Sequence, residues 1–322
     1  MTMTSTVPHL SGRLAGATLA SGDIEASLAF FRDELGMAVV AQARPAAADL
    51  ERSWGIAVPR PGRVFTLAGG SDEVGLLRLL DVSAVDAPPI RAEPSIVDPG
   101  PLALDFAVED LDDAHATLSA RGYEFYSPPR DAHRLRICFV LAPDRVMTAL
   151  IQFPGGHGLR GHRPYTGLIN VAQVVEAMDA DLDWYRDCFE LHTTLNFIQE
   201  DTEDTRRLSD ATRTPPGAVL HLVNLAEHEG IDGFQGSGTV ELVEPVGCAG
   251  RSVCADAQPP RRGFFMTSLR VRDVERAHAR CAASPRGTAP LTEVVPADEL
   301  ANAAHFVVRS PTGALLEVRQ ER

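Results

Sequence analysis

Asp110-Leu111-Asp112-Asp113-Ala114-His115-Ala116 and Asp273-Val274-Glu275-Arg276-Ala277-His278-Ala279 open two helices with one pattern. In each, an Asp stands where it can cap the helix or complement the positive end of its dipole, followed by an apolar residue and an Ala-His-Ala step. Between and before them lies a second matching pair: Phe30-Phe31-Arg32-Asp33 followed by Leu35-Gly36-Met37, against Trp184-Tyr185-Arg186-Asp187 followed by Phe189-Glu190-Leu191. Odd and even segments therefore alternate, the pattern of a duplicated pair of modules.

The surrounding segments keep the same order. An apolar strand precedes each helix, over Ala17 to Ala20, Ala103 to Val108, Leu168 to Val175 and Phe265 to Val271. Acidic residues Asp23, Asp110, Asp179 and Asp273 follow, then a helix with apolar residues at helical spacing, as in Ile24, Leu28, Phe31 and Leu35. Three further strands close each segment. In the last these are Leu291 to Val295, His305 to Arg309 and Leu315 to Arg319, with Ser310-Pro311-Thr312-Gly313 as the turn. In the second they are Tyr123 to Tyr126, Arg134 to Leu141 and Val146 to Phe153. Pro/Gly-rich stretches over Ala84 to Gly100, Pro154 to Pro164 and Pro245 to Gly263 separate the segments. With one helix per module on the outside, each sheet hides its other face only by curling into a cup. The sequence thus predicts an α+β fold of four βαβββ modules paired into two cup-shaped incomplete barrels. Modules one and two would form a domain over residues 1–155, and modules three and four a domain over 165–322.

Composition narrows the partners. The chain has 322 residues, 44% apolar and 23% charged, with a formal charge of -14. That excess of acid argues against nucleic acid and anionic membrane surfaces. All 30 cations among Lys and Arg are arginines, so a lysine Schiff base is excluded. Neither a signal-peptide core in Met1 to Gly16 nor an apolar run of membrane-spanning length is present, and a cytoplasmic location is expected. The five cysteines, Cys138, Cys188, Cys248, Cys254 and Cys281, read as reduced thiols.

The Asp-led helices, the Phe-Phe-Arg-Asp and Trp-Tyr-Arg-Asp endings and the terminal Gly313-Ala314-Leu315-Leu316-Glu317 strand resemble the vicinal oxygen chelate superfamily, over about Gly16 to Arg319. That superfamily holds glyoxalase I, bleomycin-resistance proteins and extradiol dioxygenases. Four modules in one chain are most similar to the extradiol and hydroxyphenylpyruvate dioxygenase architecture, in which the C-terminal pair usually carries the working site. The resemblance implies a divalent metal on two histidines and one carboxylate, with open positions for two vicinal oxygens of a substrate. Carried over, the histidine positions fall on Asn170 and Met266 in modules three and four, and on Gly16 and Ala103 in modules one and two. The carboxylate position is kept as Glu317, with Glu241 in module three and Arg78 and Gln152 in the first two modules. Neither half keeps the two-histidine set, so no metal ligand is assigned and no cofactor is expected.

Strand alternation then places Asn170, Met266, Ser268, Arg270, His221, Glu241, Glu317 and Arg319 in one C-terminal cup. Glu317, Glu241 and His221 are the catalytic candidates; Asn170, Met266, Ser268, Arg270 and Arg319 are the substrate-binding ones. A carboxylate near an enolisable proton, with an arginine beside the developing oxyanion, serves isomerisation, cyclisation or ring opening. His305 either lines the cup or faces solvent; His157 and His162 flank the linker; Gln199 to Arg213 is a lid or a solvated connection; and Pro45 to Arg60, with Trp54, forms a short helix over the N-terminal cup. Three functions follow. The first is a metal-free enzyme acting on a small oxygenated metabolite, aromatic or polyketide-like by analogy, in bacterial secondary metabolism. The second is a resistance-type binding protein, and the third a metal enzyme whose ligands are His221, Glu241 and Glu317. A homodimer is left open.

Overall fold

The acidic helix starts and the strand pattern recur in a computed structural model that describes residue 10 and residues 12–69, 75–132, 135–155, 164–199, 203–228, 238–298 and 303–320. His157 and His162 lie outside the described residues. Module one contains β1 (Arg13–Ser21), α1 (Ile24–Leu28, continuing through a wider turn over Ala29–Glu34), β2 (Ala38–Ala43), α2 (Ala47–Trp54), β3 (Val64–Ala68) and β4 (Leu76–Asp81). Module two contains β5 (Gly100–Val108), α3 (Leu111–Ala120), β6 (Phe125–Ala132), β7 (Leu135–Ala142) and β8 (Val146–Gln152). Module three contains β9 (Tyr165–Val174), α4 (Met178–Phe189), β10 (His192–Gln199), α5 (Glu203–Thr212), β11 (Val219–Ala226) and β12 (Thr239–Val246). Module four contains β13 (Gly263–Val271), α6 (Val274–Ala283), β14 (His305–Arg309) and β15 (Leu315–Gln320).

Asp23, Asp110 and Asp273 each accept a backbone N–H from the first turn of their helix, the capping role their position predicts. Module three differs. Ala177 stands at the cap, Asp179 lies in the first turn, and the Met178 N–H donates to Glu244 at 3.2 Å. Module four also departs from expectation over Leu291 to Val295. There the chain makes one bridge, Val295 to His305, and one bond from the Leu291 N–H to the Val307 carbonyl, 2.7 Å. Pro290 and Pro296 bracket this stretch and lack the N–H groups that a ladder needs.

The sheets overturn the expected pairing of modules. One sheet has seven strands in the order β14-β15-β13-β1-β4-β3-β2, and the other eight in the order β10-β11-β12-β9-β5-β8-β7-β6. Module one therefore joins module four, and module two joins module three. Within each module the first and last strands run parallel; between partners the first strands run antiparallel, β1 with β13 and β5 with β9. Each sheet is thus a pseudo-twofold pair that curls into a cup. We call them the end cup (modules one and four) and the middle cup (modules two and three).

A single apolar core, including Phe30, Phe31, Phe106, Trp184 and Phe306, holds α1, α3, α4 and α6 against the outer faces of both sheets. The concave faces carry two separate apolar clusters. The one in the end cup includes Trp54 and Met266; the one in the middle cup includes Phe139, Met147 and Leu222. Each cup has its own cover. Trp54 of α2, fully buried, packs edge-on to Phe265 at 5.8 Å. In the middle cup α5, from the Gln199 to Arg213 excursion, packs across onto β6 and β7. The Tyr126 hydroxyl donates to the Thr212 carbonyl at 3.1 Å there, and Arg213 stacks over the Tyr126 ring at 4.4 Å. All five cysteines are free.

Candidate functional site

The end cup is organised around a buried ion pair. Glu317 lies beside Ser268 on the parallel β13–β15 ladder, and Arg78 beside Thr18 on β1–β4. The two meet across the pseudo-twofold axis. Arg78 Nη1 donates to Glu317 Oε1 at 3.0 Å and Nη2 to Oε2 at 3.2 Å, a two-pronged pair. Ser268 Oγ donates to Oε2 at 2.9 Å, and Arg319 Nε lies 3.9 Å away. Glu317 is 0% exposed and Arg78 4%. Burial alone would raise the Glu317 carboxyl; Arg78, then Arg319 and His305, outweigh it and hold the group well below the usual carboxylate range. Trp54 stacks 5.7 Å from the Arg78 guanidinium. The remaining space, lined by Gly16, Thr66, Leu76, Arg78, Ser268 and Arg319, is about 10 Å³, room for one water. His305 is buried on the same face, its Nε2 2.8 Å from the Ser53 hydroxyl.

The middle cup holds carboxyls that carry no guanidinium among the described residues. Asp105 pairs in register with Asn170, and Asn170 with Thr239. The Asn170 amide donates to Asp105 Oδ2 and accepts from the Thr239 hydroxyl, both at 2.7 Å. This chain fixes the orientation of Asp105. Glu241 sits two residues along from Thr239 on the same face of β12, registered between Ala172 and Asn224. Burial drives the Asp105 carboxyl up to about 7; burial, then the Asp105 charge, takes Glu241 to about 8. Glu241 keeps part of its surface open, whereas Asp105 is 6% exposed. A carboxyl raised into this range can both take and give a proton near neutral pH. Asn224, 0% exposed, faces Glu241 across the ladder.

Residues 11–150 match the family model described as the glyoxalase/bleomycin resistance protein/dioxygenase superfamily. The match spans a little under half of the 322 residues, and that stretch is similar to this superfamily. No curated protein matches it by sequence. Among solved structures it is similar to glyoxalase I from Zea mays, at 14% identity and a TM-score of 0.66 over 96% of this chain and 92% of that one. It is also similar to a putative dioxygenase from Bacillus subtilis, at 11% identity and a TM-score of 0.61 over 98% and 86%. Identities this low show the shared fold alone.

The superfamily's two-histidine metal centre does not fit the residues present. In the end cup its positions hold Gly16, Met266, Arg78 and Glu317. At Gly16 any Cβ would lie 2.1 Å from the Leu76 carbonyl oxygen, so a side chain there requires the backbone to shift. The Arg78 guanidinium already neutralises the one carboxylate. In the middle cup the positions hold Ala103, Asn170, Ala149 and Glu241; Asn170 has its amide committed on both sides. Register also corrects module two: Ala149, facing Asp105, is the counterpart of Glu317, and Gln152 instead pairs with Arg136.

The predicted set is split by the module pairing. Met266, Ser268, Arg270, Glu317 and Arg319 lie on the seven-stranded sheet; Asn170, His221 and Glu241 on the eight-stranded one. His221 leaves the set entirely. On β11 its neighbours Leu220 and Leu222 join the middle-cup cluster, while Val223 and Leu225, on its own face, join the outer core. Its ring bonds Asn196 at 2.8 Å and lies 3.6 Å from Glu244, and no site with Glu241 and Glu317 forms around it. Glu317 has its oxygens engaged by Arg78 and Ser268, which removes the basis for a general-base role. Asn170 positions Asp105 through both ends of its amide. Asp105 and Asn224 escaped the sequence reading, although alternation from Ala103 already puts Asp105 on the concave face.

Proposed function

We propose that the chain acts on a small oxygenated metabolite, of aromatic or polyketide type, in the middle cup, by acid–base chemistry without a resident metal, in bacterial secondary metabolism. The observation that carries this reading is that Asp105 and Glu241 share one mostly apolar cup, with no arginine pairing them among the described residues. Carboxyls tuned toward neutral pH suit proton abstraction next to a carbonyl and return of the proton elsewhere, as in isomerisation, cyclisation or ring opening. Asp105, held by Asn170, is the better-positioned base. Glu241 exchanges the second proton.

The test is turnover across a panel of phenolic and polyketide metabolites, followed for the wild type, Asp105→Asn and Glu241→Gln. Each substitution is expected to lower the rate by roughly 100- to 10,000-fold. The rate should also show a bell-shaped pH profile with limbs near neutrality. Wild-type turnover in both variants would move the function out of this cup. A sequestering role, suggested by the bleomycin-resistance members of the superfamily, is favoured by one observation, the packing of α5 over β6 and β7 at one side of the cup. Stoichiometric binding with no turnover by the wild type would establish it.

A further inference from the structure

The middle cup contains polar atoms that the fold itself leaves unmatched. Asn224 is fully buried, and neither its Oδ1 nor its Nδ2 meets a hydrogen-bond partner among the described residues. It lies on the concave face, in register with Glu241 and next in alternation to Leu222. Across the half-barrel, on the opposite edge strand β6, Ser127 is 2% exposed and its hydroxyl is also unmatched. It is registered against Phe139, which belongs to the same apolar cluster. Buried polar atoms are nearly always paired, so a side chain with both ends unsatisfied marks a place where a partner docks. The choice of amide rotamer does not affect this, because both ends are unmatched.

The shape of the missing partner follows from chemistry. A primary amide offers a donor and an acceptor side by side in one plane, and its complement is a group offering an acceptor and a donor in the same arrangement. The walls around it, Ile137, Phe139, Met147 and Leu222, are apolar and suit a flat carbon skeleton. Charge disfavours an anion at the Asn224 end: Asp105 and Glu241 lie on that part of the concave face, while Arg130, in register with Ile137, and Arg213, over the Tyr126 ring, lie toward the β6 rim. We infer that Asn224 is the recognition edge of the middle cup for a neutral, planar ligand carrying a hydrogen-bond acceptor and donor side by side, such as a lactam or an enolised hydroxy-carbonyl, with Ser127 meeting its far end. This rests on the proposal that the middle cup is the working one, and it names the ligand class for that cup.

The test uses 2-quinolone, a neutral bicyclic lactam, with N-methyl-2-quinolone, which lacks the donor, and quinoline-2-carboxylate, which is an anion. Binding is followed by calorimetry on the full chain at pH 7. 2-Quinolone is expected to bind one per chain, roughly tenfold or more tighter than its N-methyl form, because the methyl leaves Asn224 Oδ1 buried and unmatched. The carboxylate should bind weakest. Asn224→Leu keeps the side chain's shape and removes both unmatched atoms. It should bring the lactam-to-N-methyl ratio close to one while raising the thermal unfolding midpoint of the unliganded protein by a few degrees. No binding of 2-quinolone, equal binding of its N-methyl form, tighter binding of the carboxylate, or a lowered midpoint in Asn224→Leu with the ratio intact would each overturn the inference. The wild-type ratio decides the matter even if the variant fails to fold. Asp105→Asn and Glu241→Gln separate the two readings: a lactam preference that persists while turnover ignores both carboxyls sinks the acid–base chemistry and leaves the recognition edge standing.

Discussion

The two cups place a glutamate at the same register position of a last strand, Glu317 beside Ser268 and Glu241 beside Ala172. They differ in what faces it across the pseudo-twofold axis. In the end cup the symmetric position holds Arg78, and the carboxylate is ionised, clamped and sealed under Trp54. In the middle cup it holds Ala149, and the charge problem passes to Asp105 on the neighbouring strand, which burial keeps near its titration point. One residue at a symmetric site thus separates a structural ion pair from a pair of exchangeable protons. In the first cup a guanidinium neutralises the glutamate; in the second, Asp105 and Glu241 are raised by burial, with no guanidinium among the described residues to hold them ionised.

Substitution at the two glutamates is the harshest way to break this contrast. Glu317→Gln strands Arg78 and should cost about 3–5 kcal/mol of unfolding free energy in urea titrations. Arg78→Met combined with Glu317→Leu should recover most of that loss, because apolar replacement of a buried pair is often neutral. Glu241→Gln should change stability by less than about 1 kcal/mol at pH 7. Equal losses at the two positions would erase the distinction between the cups.

The pH dependence sharpens it, because the signs are opposite. Glu317 is held below its unfolded value, so its contribution is complete above roughly pH 4.5 and disappears as the pH falls. Asp105 and Glu241 are raised, to about 7 and about 8, so folding is fully favoured below roughly pH 4 and weakens as the pH climbs through those values. Between pH 5 and 8.5 the wild type should lose on the order of a few kcal/mol more than Asp105→Asn does, measured by denaturation at each pH. A parallel pair of curves would show that Asp105 ionises freely in the folded state.

The covers supply the smallest effect. Tyr126→Phe removes the hydroxyl that holds the end of α5 and should cost about 1 kcal/mol. Limited proteolysis within Glu203–Thr212 should quicken, while α2, held by buried Trp54, stays protected.

What the sequence revealed, and what it hid, follows the range of the interactions. Asp23, Asp110 and Asp273 cap their helices through bonds spanning two or three residues, and those starts are legible from local pattern. The four modules are legible for the same reason. Their pairing is not: every module offers an open first strand of similar apolar character, and the choice of partner depends on contacts across the whole chain. That single ambiguity moved Glu317 and Glu241 into different cups and hid Arg78 as the partner of Glu317. The phase of β11 was hidden differently. Val219 to Leu225 is apolar on both faces, so alternation cannot say whether His221 or Asn224 points inward. Asp105 was within reach, two residues after Ala103 on one face of β5.

The nested order of the modules also bears on how the chain assembles. The middle sheet is built from neighbouring stretches of sequence and can close while synthesis is still under way. The end sheet cannot, because β1 pairs with β13, from Arg13 against Arg270 to Ala20 against Gly263, nearly the whole chain apart. Until module four leaves the ribosome, β1 presents an unpaired edge of apolar backbone, the kind of surface that invites aggregation and chaperone capture. A nascent chain arrested after β12 would then be half finished in a definite sense, with a settled centre and a first module still waiting for the last to clasp it.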